Sequence, residues 1–452
     1  MNESSAVYHV PHIDHPLDAV VRVPGSKSIA NRALICATLA HGVSTLQNVP
    51  GGDDTAAMLE CVALLGAGVG ADLRDETIMR IHGTGGVLRE GPMTLPARLA
   101  GTTSRFVTAL CALGRGHYEI DGLPPLRARP MGPLHEALAT LGCDVRPGDG
   151  WGHLPVTITG LATADPDRGS ATSTSSASSS ATAPTMRTVV LPGDISSQYV
   201  TALMLIAPYL EGGLIIQLTT TLVSRPYVDI TASVMSSFGA PAVVVTDTTI
   251  EIGPGHYRAC DYQIEPDASS ASYPLAAAAI CGGRVRVPDL RGDALQGDAG
   301  FADVLAAMGC SVARDADGTT VERHGELVGI NINMANLSDL VPTLAVVAPF
   351  ATSPTTIEGV GFIRAKESDR LGDLANELRS CGIVASERDD GLRIAPGYTG
   401  GASMLTHHDH RLAMAFGILG LRIPGVRVHD PDVVSKSWPD FWMALQAMRG
   451  GQ

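Results

Sequence analysis

The chain has 452 residues, a formal net charge of −14 and charged side chains at only 17% of its positions. This length exceeds one compact core, so two domains are expected, and the acidic balance argues against a protein that coats nucleic acid. Any anion that binds must therefore occupy a local pocket. Of the 32 basic residues only Lys27, Lys366 and Lys436 are lysine. An ammonium and a guanidinium differ in shape and hydration, so these three positions are of interest.

The sequence carries no sign of export or membrane insertion. Its N-terminus lacks a basic start followed by an apolar stretch, and no uninterrupted apolar run approaches membrane-spanning length. The eight cysteines occur singly and without a C-x-x-C pair, which favours reduced core thiols over a disulfide or zinc framework. We therefore expect a cytoplasmic protein with no membrane partner.

The first informative segment, residues 23–32, reads VPGSKSIANR and continues into an apolar helix pattern closed by Gly42. On that helix Ser28 and Arg32 lie one turn apart, and Lys27 lies at its positive end. These three residues at the start of a helix predict a site that binds an anion. The segment lacks the first glycine of a nucleotide P-loop, which disfavours kinase chemistry. The alternative is an ordinary capped helix with a solvated lysine and arginine.

Four later segments repeat this arrangement, in which a polar or basic phrase opens an apolar helix. They are 99–105 (LAGTTSR), 194–198 (DISSQ), 366–370 (KESDR) and 409–411 (DHR). If the helix starts point at one centre, they form a strongly positive pocket.

Each of these segments also has a simpler interpretation. Ser196, Ser197 and Asp409 could serve as helix N-caps. Asp369 with Arg370 could be a surface ion pair of small energetic value. His410 is expected to be a buried, hydrogen-bonded imidazole rather than a metal ligand, because no H-x-x-x-H spacing accompanies it.

A helix pattern that closes on a glycine and leads into a β-branched stretch recurs along the chain, at intervals of 68 to 97 residues. The glycines are Gly66, Gly142, Gly239, Gly309, Gly382 and Gly450. Strand-like runs such as TLQNV, LIIQLTT, VRVPDL and TTIEGV flank the helices. The spacing predicts six mixed α/β repeats of about 70 residues, divided into two domains of three, with a boundary near 259–265. The alternative is a coincidence of ordinary helix caps.

The longest interval contains a Ser/Thr/Ala-rich stretch at about 161–186. Its composition offers nothing to bury, so it predicts a disordered surface insertion without a catalytic role.

Taken in order, several phrases resemble the 5-enolpyruvylshikimate-3-phosphate synthase family of enolpyruvyl transferases. They are PGSKSIANRAL, LAGTTSRF, RARPM, DISSQYVTALMLIAP, LVSRPYVDIT, DASSASYPLAAAAI, RAKESDRLGDLANEL, HHDHRLAMAFGILGL and DPDVVSKSWPDFW. The resemblance implies a two-domain inside-out α/β barrel of six βαβαββ repeats, three per domain with pseudo-three-fold symmetry. It places domain one at 24–264 and domain two at 1–23 and 265–452, with the active site between them.

The activity that the resemblance implies is transfer of the enolpyruvyl group of phosphoenolpyruvate to the 5-hydroxyl of shikimate 3-phosphate, in a protein that is usually monomeric and needs no metal or organic cofactor. Asp339 matches the base that takes the hydroxyl proton, Glu367 matches the acid that protonates the methylene carbon, and Lys27 is the third catalytic residue. Shikimate 3-phosphate would contact Lys27, Ser28, Arg32, Ser196, Ser197, Gln198, Ser224, Tyr227, Asp339 and Lys366. Phosphoenolpyruvate would contact Lys27, Gly101, Arg129, Gln198, Arg370, Arg411 and Lys436. The resemblance also implies that glyphosate competes with phosphoenolpyruvate, in space left beside Gly101.

Two alternatives remain open. The sister enolpyruvyl transferase that acts on UDP-N-acetylglucosamine pairs its first lysine with asparagine and carries a reactive loop cysteine, whereas Lys27 is followed by Ser28 and no cysteine lies in such a loop. An inert anion-binding paralogue would be expected to have lost Asp339, Glu367 or a lysine, and all of these are present.

Overall fold

The computed structural model describes residues 6–161 and 185–449. The predicted Ser/Thr-rich insertion at about 161–186 therefore lies almost wholly outside the described residues. No helix in those two stretches is long and apolar enough to cross a bilayer.

Helices and strands are interspersed along the described chain. The helices are α1 (Lys27–Leu39), α2 (Asp53–Leu64), α3 (Gly101–Leu110), α4 (Pro124–Arg127), α5 (Gly132–Leu141), α6 (Ser197–Ile206), α7 (Pro226–Ser237), α8 (Ala268–Cys281), α9 (Phe301–Ala307), α10 (Val341–Val347), α11 (Gly372–Ser380), α12 (His410–Gly420) and α13 (Phe441–Arg449). The strands up to residue 252 are β1 (Val7–His9), β2 (Leu17–Val20), β3 (Val43–Gln47), β4 (Gly68–Ala71), β5 (Met79–His82), β6 (Met93–Pro96), β7 (His117–Asp121), β8 (Asp144–Pro147), β9 (Val156–Thr159), β10 (Arg187–Leu191), β11 (Leu214–Leu218), β12 (Val243–Val245) and β13 (Thr249–Ile252). The later strands are β14 (Asp261–Gln263), β15 (Gly283–Pro288), β16 (Ser311–Asp315), β17 (Gly318–Arg323), β18 (Asn331–Asn333), β19 (Thr355–Glu358), β20 (Ala385–Arg388), β21 (Gly391–Ile394), β22 (Ser403–Met404) and β23 (Arg427–His429). A mixed α/β chain is confirmed.

The chain folds into two separate units. The first unit comprises the chain up to Lys27, the short segment Pro50–Asp53 and the chain from Glu265 onwards. The second unit comprises Ser28–Val49 and Asp54–Ile264. Each unit contains its own cluster of buried hydrophobic side chains.

The second unit repeats one sheet topology in its described residues. Its sheets have the strand orders β14-β3-β5-β4, β6-β7-β9-β8 and β10-β11-β13-β12. In each sheet the first two strands are parallel and the remaining neighbours are antiparallel. A parallel pair needs a crossover connection, which α3 and α6 supply in the second and third sheets.

In the described part of the first unit two four-stranded sheets use the same plan, and a third sheet has three strands. The sheets of this unit have the orders β2-β15-β17-β16, β18-β19-β21-β20 and β22-β23-β1. The N-terminal strands β1 and β2 complete two of these sheets, which explains why the residues before α1 belong with the unit that resumes at Glu265.

The predicted helix-closing glycines are confirmed within the described residues. Gly66, Gly142, Gly239, Gly309 and Gly382 have φ angles between 74° and 110°. This left-handed backbone carries no Cβ penalty in glycine, so each helix can stop and the chain can turn into the next strand.

The helices that carry the polar phrases run through the cores. Every residue of α8 and of α12 is buried, and in α6 every residue except Gln198 is buried. A helix that is apolar on all sides is fixed by packing, so its first turn holds a polar side chain in a defined place.

Candidate anion site

Asp339 lies on a 3₁₀ turn, Ala335–Leu340, at the centre of a cationic cluster in the first unit. Its Oδ1 accepts a hydrogen bond from Arg370 Nη1 at 2.8 Å and lies 3.8 Å from Lys366 Nζ, while its Oδ2 accepts from Arg411 Nη2 at 2.8 Å. Burial alone would raise the pKa of Asp339, but the charges of Arg411, Lys366 and Arg370 outweigh it and hold that pKa well below its usual range. The carboxylate is therefore ionised at physiological pH.

Arg370 joins three carboxylates. Besides its bond to Asp339, its Nε donates to Asp409 Oδ2 at 2.7 Å and its Nη2 donates to Glu367 Oε2 at 2.7 Å. Burial by itself would lower the pKa of Arg370, but the charges of these carboxylates outweigh it and raise that pKa well above its usual value. The surface-pair interpretation is wrong for Arg370, whose side chain is only 1% exposed.

The three lysines of the chain all belong to the first unit. Lys366 lies beside Asp339, and Lys436 Nζ lies 3.1 Å from Glu367 Oε1. The charges of Lys27 and Lys436 both act on His410. The structure therefore brings together all of the predicted catalytic residues and all of the predicted cations that belong to this unit.

The start of α12 contributes a buried histidine to the same cluster. Asp409 is the N-cap of α12, and its Oδ1 accepts a hydrogen bond from the backbone N–H of Arg411 at 2.9 Å. This confirms the interpretation of Asp409 as a helix cap. His410 is buried as expected, but its ring nitrogens have no hydrogen-bond partner among the described residues, so the expected hydrogen bond is wrong. Burial, together with the charges of Lys27, Lys436 and Arg411, lowers the pKa of His410 well below its usual value and keeps the ring neutral.

In the second unit Arg32 is the central cation, and it is 2% exposed. Its Nε donates to Thr231 Oγ1 at 2.8 Å, its Nη1 donates to the Ser28 carbonyl at 2.7 Å, and its Nη2 contacts Thr201 Oγ1 and the Tyr227 carbonyl at 3.3 and 3.2 Å. These bonds tie the first turn of α1 to α6 and α7.

Two aromatic rings complete the surroundings of this guanidinium. The Arg32 Cζ atom lies 5.5 Å from the ring centre of Phe106 and 5.8 Å from that of Tyr227. Burial lowers the pKa of Arg32 to about 10, so the group remains charged at neutral pH.

The starts of α6 and α3 are joined by a side-chain hydrogen bond. Gln198 Nε2 donates to Thr102 Oγ1 at 3.4 Å. Ser196 is the N-cap of α6 and accepts from the Gln198 backbone N–H at 3.3 Å, which confirms its cap interpretation, and Ser197 is the first helical residue.

Gly101 begins α3 and lies against Arg129. A Cβ atom at Gly101 would come within 2.6 Å of Arg129 Nη1, so this guanidinium occupies the space that was expected to be open. Ser224 is buried with a left-handed φ of 55°, and its carbonyl accepts from the Tyr227 N–H at 3.1 Å. The predicted residues of the second unit therefore form two groups, one around Arg32 and one around Gly101.

Sequence reasoning missed Gln296 and Asp298, which are 2% and 3% exposed in the first unit. They belong to a phrase, LQGDAG, that precedes the apolar helix α9. This is the same signal that identified the five other helix starts, so the two residues could have been found by applying it to every helix.

These features define an α/β protein with a cluster of cations set around buried carboxylates, of which Asp339 is held ionised. Residues 11–445 match the sequence model of a protein family, EPSP synthase (3-phosphoshikimate 1-carboxyvinyltransferase). The curated 3-phosphoshikimate 1-carboxyvinyltransferase of Nostoc punctiforme is 39% identical over 434 residues, which is 96% of this chain and 97% of that protein. The protein of the same name from Methanoculleus marisnigri is 39% identical over 95% of this chain and 96% of its own length.

A solved structure of EPSP synthase from Acinetobacter baumannii is similar in fold, with a TM-score of 0.79, 23% identity and coverage of 97% of both chains. The chain belongs to the EPSP synthase family.

Proposed function

We propose that the protein transfers the enolpyruvyl group of phosphoenolpyruvate to the 5-hydroxyl of shikimate 3-phosphate and releases phosphate. The observation that carries this proposal is the first-unit cluster, in which four cations lie against Asp339 and Glu367, namely Lys366, Arg370, Arg411 and Lys436. The relatives of the chain bear the name of this activity over nearly its whole length.

The carboxylates supply the proton transfers. Asp339, held ionised, would accept the proton of the 5-hydroxyl as that oxygen attacks C2 of phosphoenolpyruvate. Glu367 would give a proton to C3, which turns the methylene into a methyl group in the tetrahedral adduct. Glu367 would then take a proton back from C3 as the C2–O bond to phosphate breaks, which leaves the vinyl ether and restores the protonated Glu367. The proton on Asp339 would leave with the phosphate, so the reaction is balanced without another reactant.

Both oxygens of Asp339 already accept hydrogen bonds from arginines. Arg370 is held by two further carboxylates, whereas Arg411 and Lys366 lie against Asp339 itself. We infer that an incoming anion draws Arg411 or Lys366 away from Asp339. The pKa of Asp339 would then rise, which makes it a stronger base when substrate is bound.

The remaining assignments follow the family pattern. In the first unit, Lys27, Arg370, Arg411 and Lys436 are assigned to phosphoenolpyruvate, and Lys27, Asp339 and Lys366 to shikimate 3-phosphate. In the second unit, Gly101, Arg129 and Gln198 are assigned to phosphoenolpyruvate, and Ser28, Arg32, Ser196, Ser197, Gln198, Ser224 and Tyr227 to shikimate 3-phosphate. Arg32 is buried by its own neighbours, so we assign it to shaping Ser28 and Tyr227 as well as to supplying charge.

We also propose that each unit is one enolpyruvyl transferase domain with pseudo-three-fold symmetry, an inside-out α/β barrel of three βαβαββ repeats, and that the protein is monomeric. The recurring sheet order in each unit supports the assignment of three repeats to each domain. The monomeric state is tested by light scattering, which measures the molar mass of the protein at assay concentration.

The activity is tested by incubating the purified protein with phosphoenolpyruvate and either shikimate 3-phosphate or UDP-N-acetylglucosamine, and measuring phosphate release. We expect release with shikimate 3-phosphate only. Release with the UDP-sugar alone would identify the sister activity, and no release with either acceptor would identify an inert paralogue.

A further inference from the structure

A buried amide, Gln296, links five groups in the first unit, one of which is Asp267 Oδ1, 3.3 Å from its Nε2. Its Oε1 accepts from Ser26 Oγ at 3.0 Å and from the Ala268 N–H at 3.1 Å. Its Nε2 donates to Ser269 Oγ at 2.8 Å and to Asp298 Oδ2 at 3.1 Å. Exchanging the amide oxygen and nitrogen would set a carbonyl against a carboxylate and an amide donor against a backbone donor. The network therefore permits one orientation of Gln296.

One side of this network holds the loop that ends at Lys27. The Ser26 N–H donates to the Glu265 carbonyl at 2.8 Å, and the Asp267 N–H donates to the Pro24 carbonyl at 2.8 Å. The Lys27 N–H points at Asp267 Oδ2 at 3.5 Å. The backbone of the lysine loop is thus attached to the start of α8, and the Gln296 side chain fixes the hydroxyl next to Lys27.

The other side of the network lies behind Asp339. Asp298 belongs to the 3₁₀ turn Gly297–Gly300, which packs against the 3₁₀ turn Ala335–Leu340 that carries Asp339. Burial and the nearby charge of Asp339 raise the pKa of Asp298 to about 6, even though its carboxylate accepts a hydrogen bond from Ser269. An apolar side chain would fill this place without the cost of burying a carboxylate, so packing alone does not explain Asp298.

We propose that Gln296 and Asp298 are positioning residues, which fix the lysine loop relative to the turn that bears Asp339. The proposal rests on the proposed function, because Lys27 and Asp339 are its assigned catalytic groups. Two reacting groups on separate segments must keep their spacing within a fraction of an ångström, and a displacement of about 1 Å can lower a rate on the order of 100-fold. A fully connected buried network is one means of holding that spacing.

The first test compares Gln296→Met, which keeps the side-chain length but removes the amide, with Thr319→Val. Thr319 is also buried in the first unit, and its hydroxyl donates to the Leu290 carbonyl, so Thr319→Val removes a buried hydrogen bond outside the network. We expect Gln296→Met to lower kcat/KM by about 10- to 100-fold and Thr319→Val to change it less than about twofold. Thermal melting checks that both variants are folded at the assay temperature. A folded Gln296→Met with wild-type kcat/KM, or an equal loss in Thr319→Val, would overturn the proposal.

The second test separates hydrogen bonding from charge at Asp298. Asp298→Asn keeps an acceptor oxygen for Ser269 and Gln296, whereas Asp298→Ala removes it. We expect the asparagine variant to retain kcat within about fivefold of wild type and the alanine variant to lose as much as Gln296→Met. Equal losses in the two variants would mean that the charge matters rather than the network, and the positioning role would be rejected.

The third test does not depend on turnover. The chain has three lysines, so ¹³C-lysine labelling gives three ε-methylene resonances, which Lys→Arg variants assign. We expect Gln296→Met to shift the Lys27 resonance while those of Lys366 and Lys436 stay in place. Three unchanged resonances would overturn the proposal. If the wild-type protein releases no phosphate, the proposed function fails while this spectrum still tests the positioning role.

Discussion

Two buried arginines, Arg370 in the first unit and Arg32 in the second, are held in opposite ways. Arg370 donates to three carboxylates, and they raise its pKa. The four acceptors described for Arg32 are neutral oxygens, two hydroxyls and two carbonyls, and burial lowers its pKa to about 10.

The difference separates two uses of the same side chain. In the first unit the carboxylates that neutralise the cations include the assigned base and acid, so an arriving anion has to compete with them. In the second unit the charge of Arg32 is not neutralised by its described acceptors, so we expect it to act on a bound anion. Under the proposed function, the first arrangement sets the protonation state of Asp339, and the second supplies positive charge to a bound anion.

The largest effect is expected from Arg370→Met, which leaves three carboxylates close together without their common partner. Removing one member of a buried ion pair costs about 3–5 kcal/mol. We expect a loss of this size in the free energy of unfolding, measured by urea denaturation followed by circular dichroism.

Arg364→Met is the matched control for that variant. Arg364 also contacts two carboxylates, Asp369 and Glu387, but its side chain is 32% exposed. Exposed pairs contribute about 1 kcal/mol or less. Equal losses in the two variants would show that burial of the Arg370 network has no special energetic role.

The lysines come next. Lys27→Arg, Lys366→Arg and Lys436→Arg each keep the charge but replace a compact ammonium with a wider planar group. Lys436 lies against Glu367 and is only 10% exposed at its side chain, so the larger group has little room. We expect kcat/KM to fall by about 10- to 100-fold in each variant. If all three kept wild-type turnover, the scarcity of lysine in this chain would have no functional meaning.

The sequence predicted where helices begin and end better than it predicted which side chains contact each other across the fold. Helix-closing glycines and polar helix starts are local signals, so the positions of α3, α6 and α12 could be predicted from them. The carboxylate partners of Arg370 lie 31 and 39 residues away from it in two of three cases, and no local pattern reports such distances. Gln296 was missed because its hydrogen bond to Ser26 joins residues 270 positions apart, and no local pattern indicates such a contact.

Arg32→Met sharpens the contrast between the two arginines. The variant loses four hydrogen bonds but also removes a charge whose burial is costly, and no carboxylate among the described acceptors loses its partner. We expect the free energy of unfolding to change by less than about 2 kcal/mol, well below the loss in Arg370→Met. Calorimetric titration with shikimate 3-phosphate should show weaker binding by a factor of about 30 or more. A loss of stability as large as that of Arg370→Met would remove the distinction drawn between the units.

The smallest effect is expected from Gly101→Ala. The added Cβ meets the end of a flexible side chain, Arg129 Nη1, which can move, and alanine has a higher helix propensity than glycine. Stability should therefore change by less than about 1 kcal/mol, while the displaced guanidinium raises KM for phosphoenolpyruvate by about three- to tenfold and weakens competition by glyphosate.

Gly132→Ala is the matched control for Gly101→Ala, because Gly132 also begins a helix of the second unit and its added Cβ would lie no closer than 3.8 Å to a neighbour. It should leave both KM and glyphosate inhibition unchanged. A Gly101→Ala enzyme that behaves like this control would show that the position of Arg129 does not govern how the substrate is held. The charge stored in the second unit would then act on phosphoenolpyruvate through other side chains.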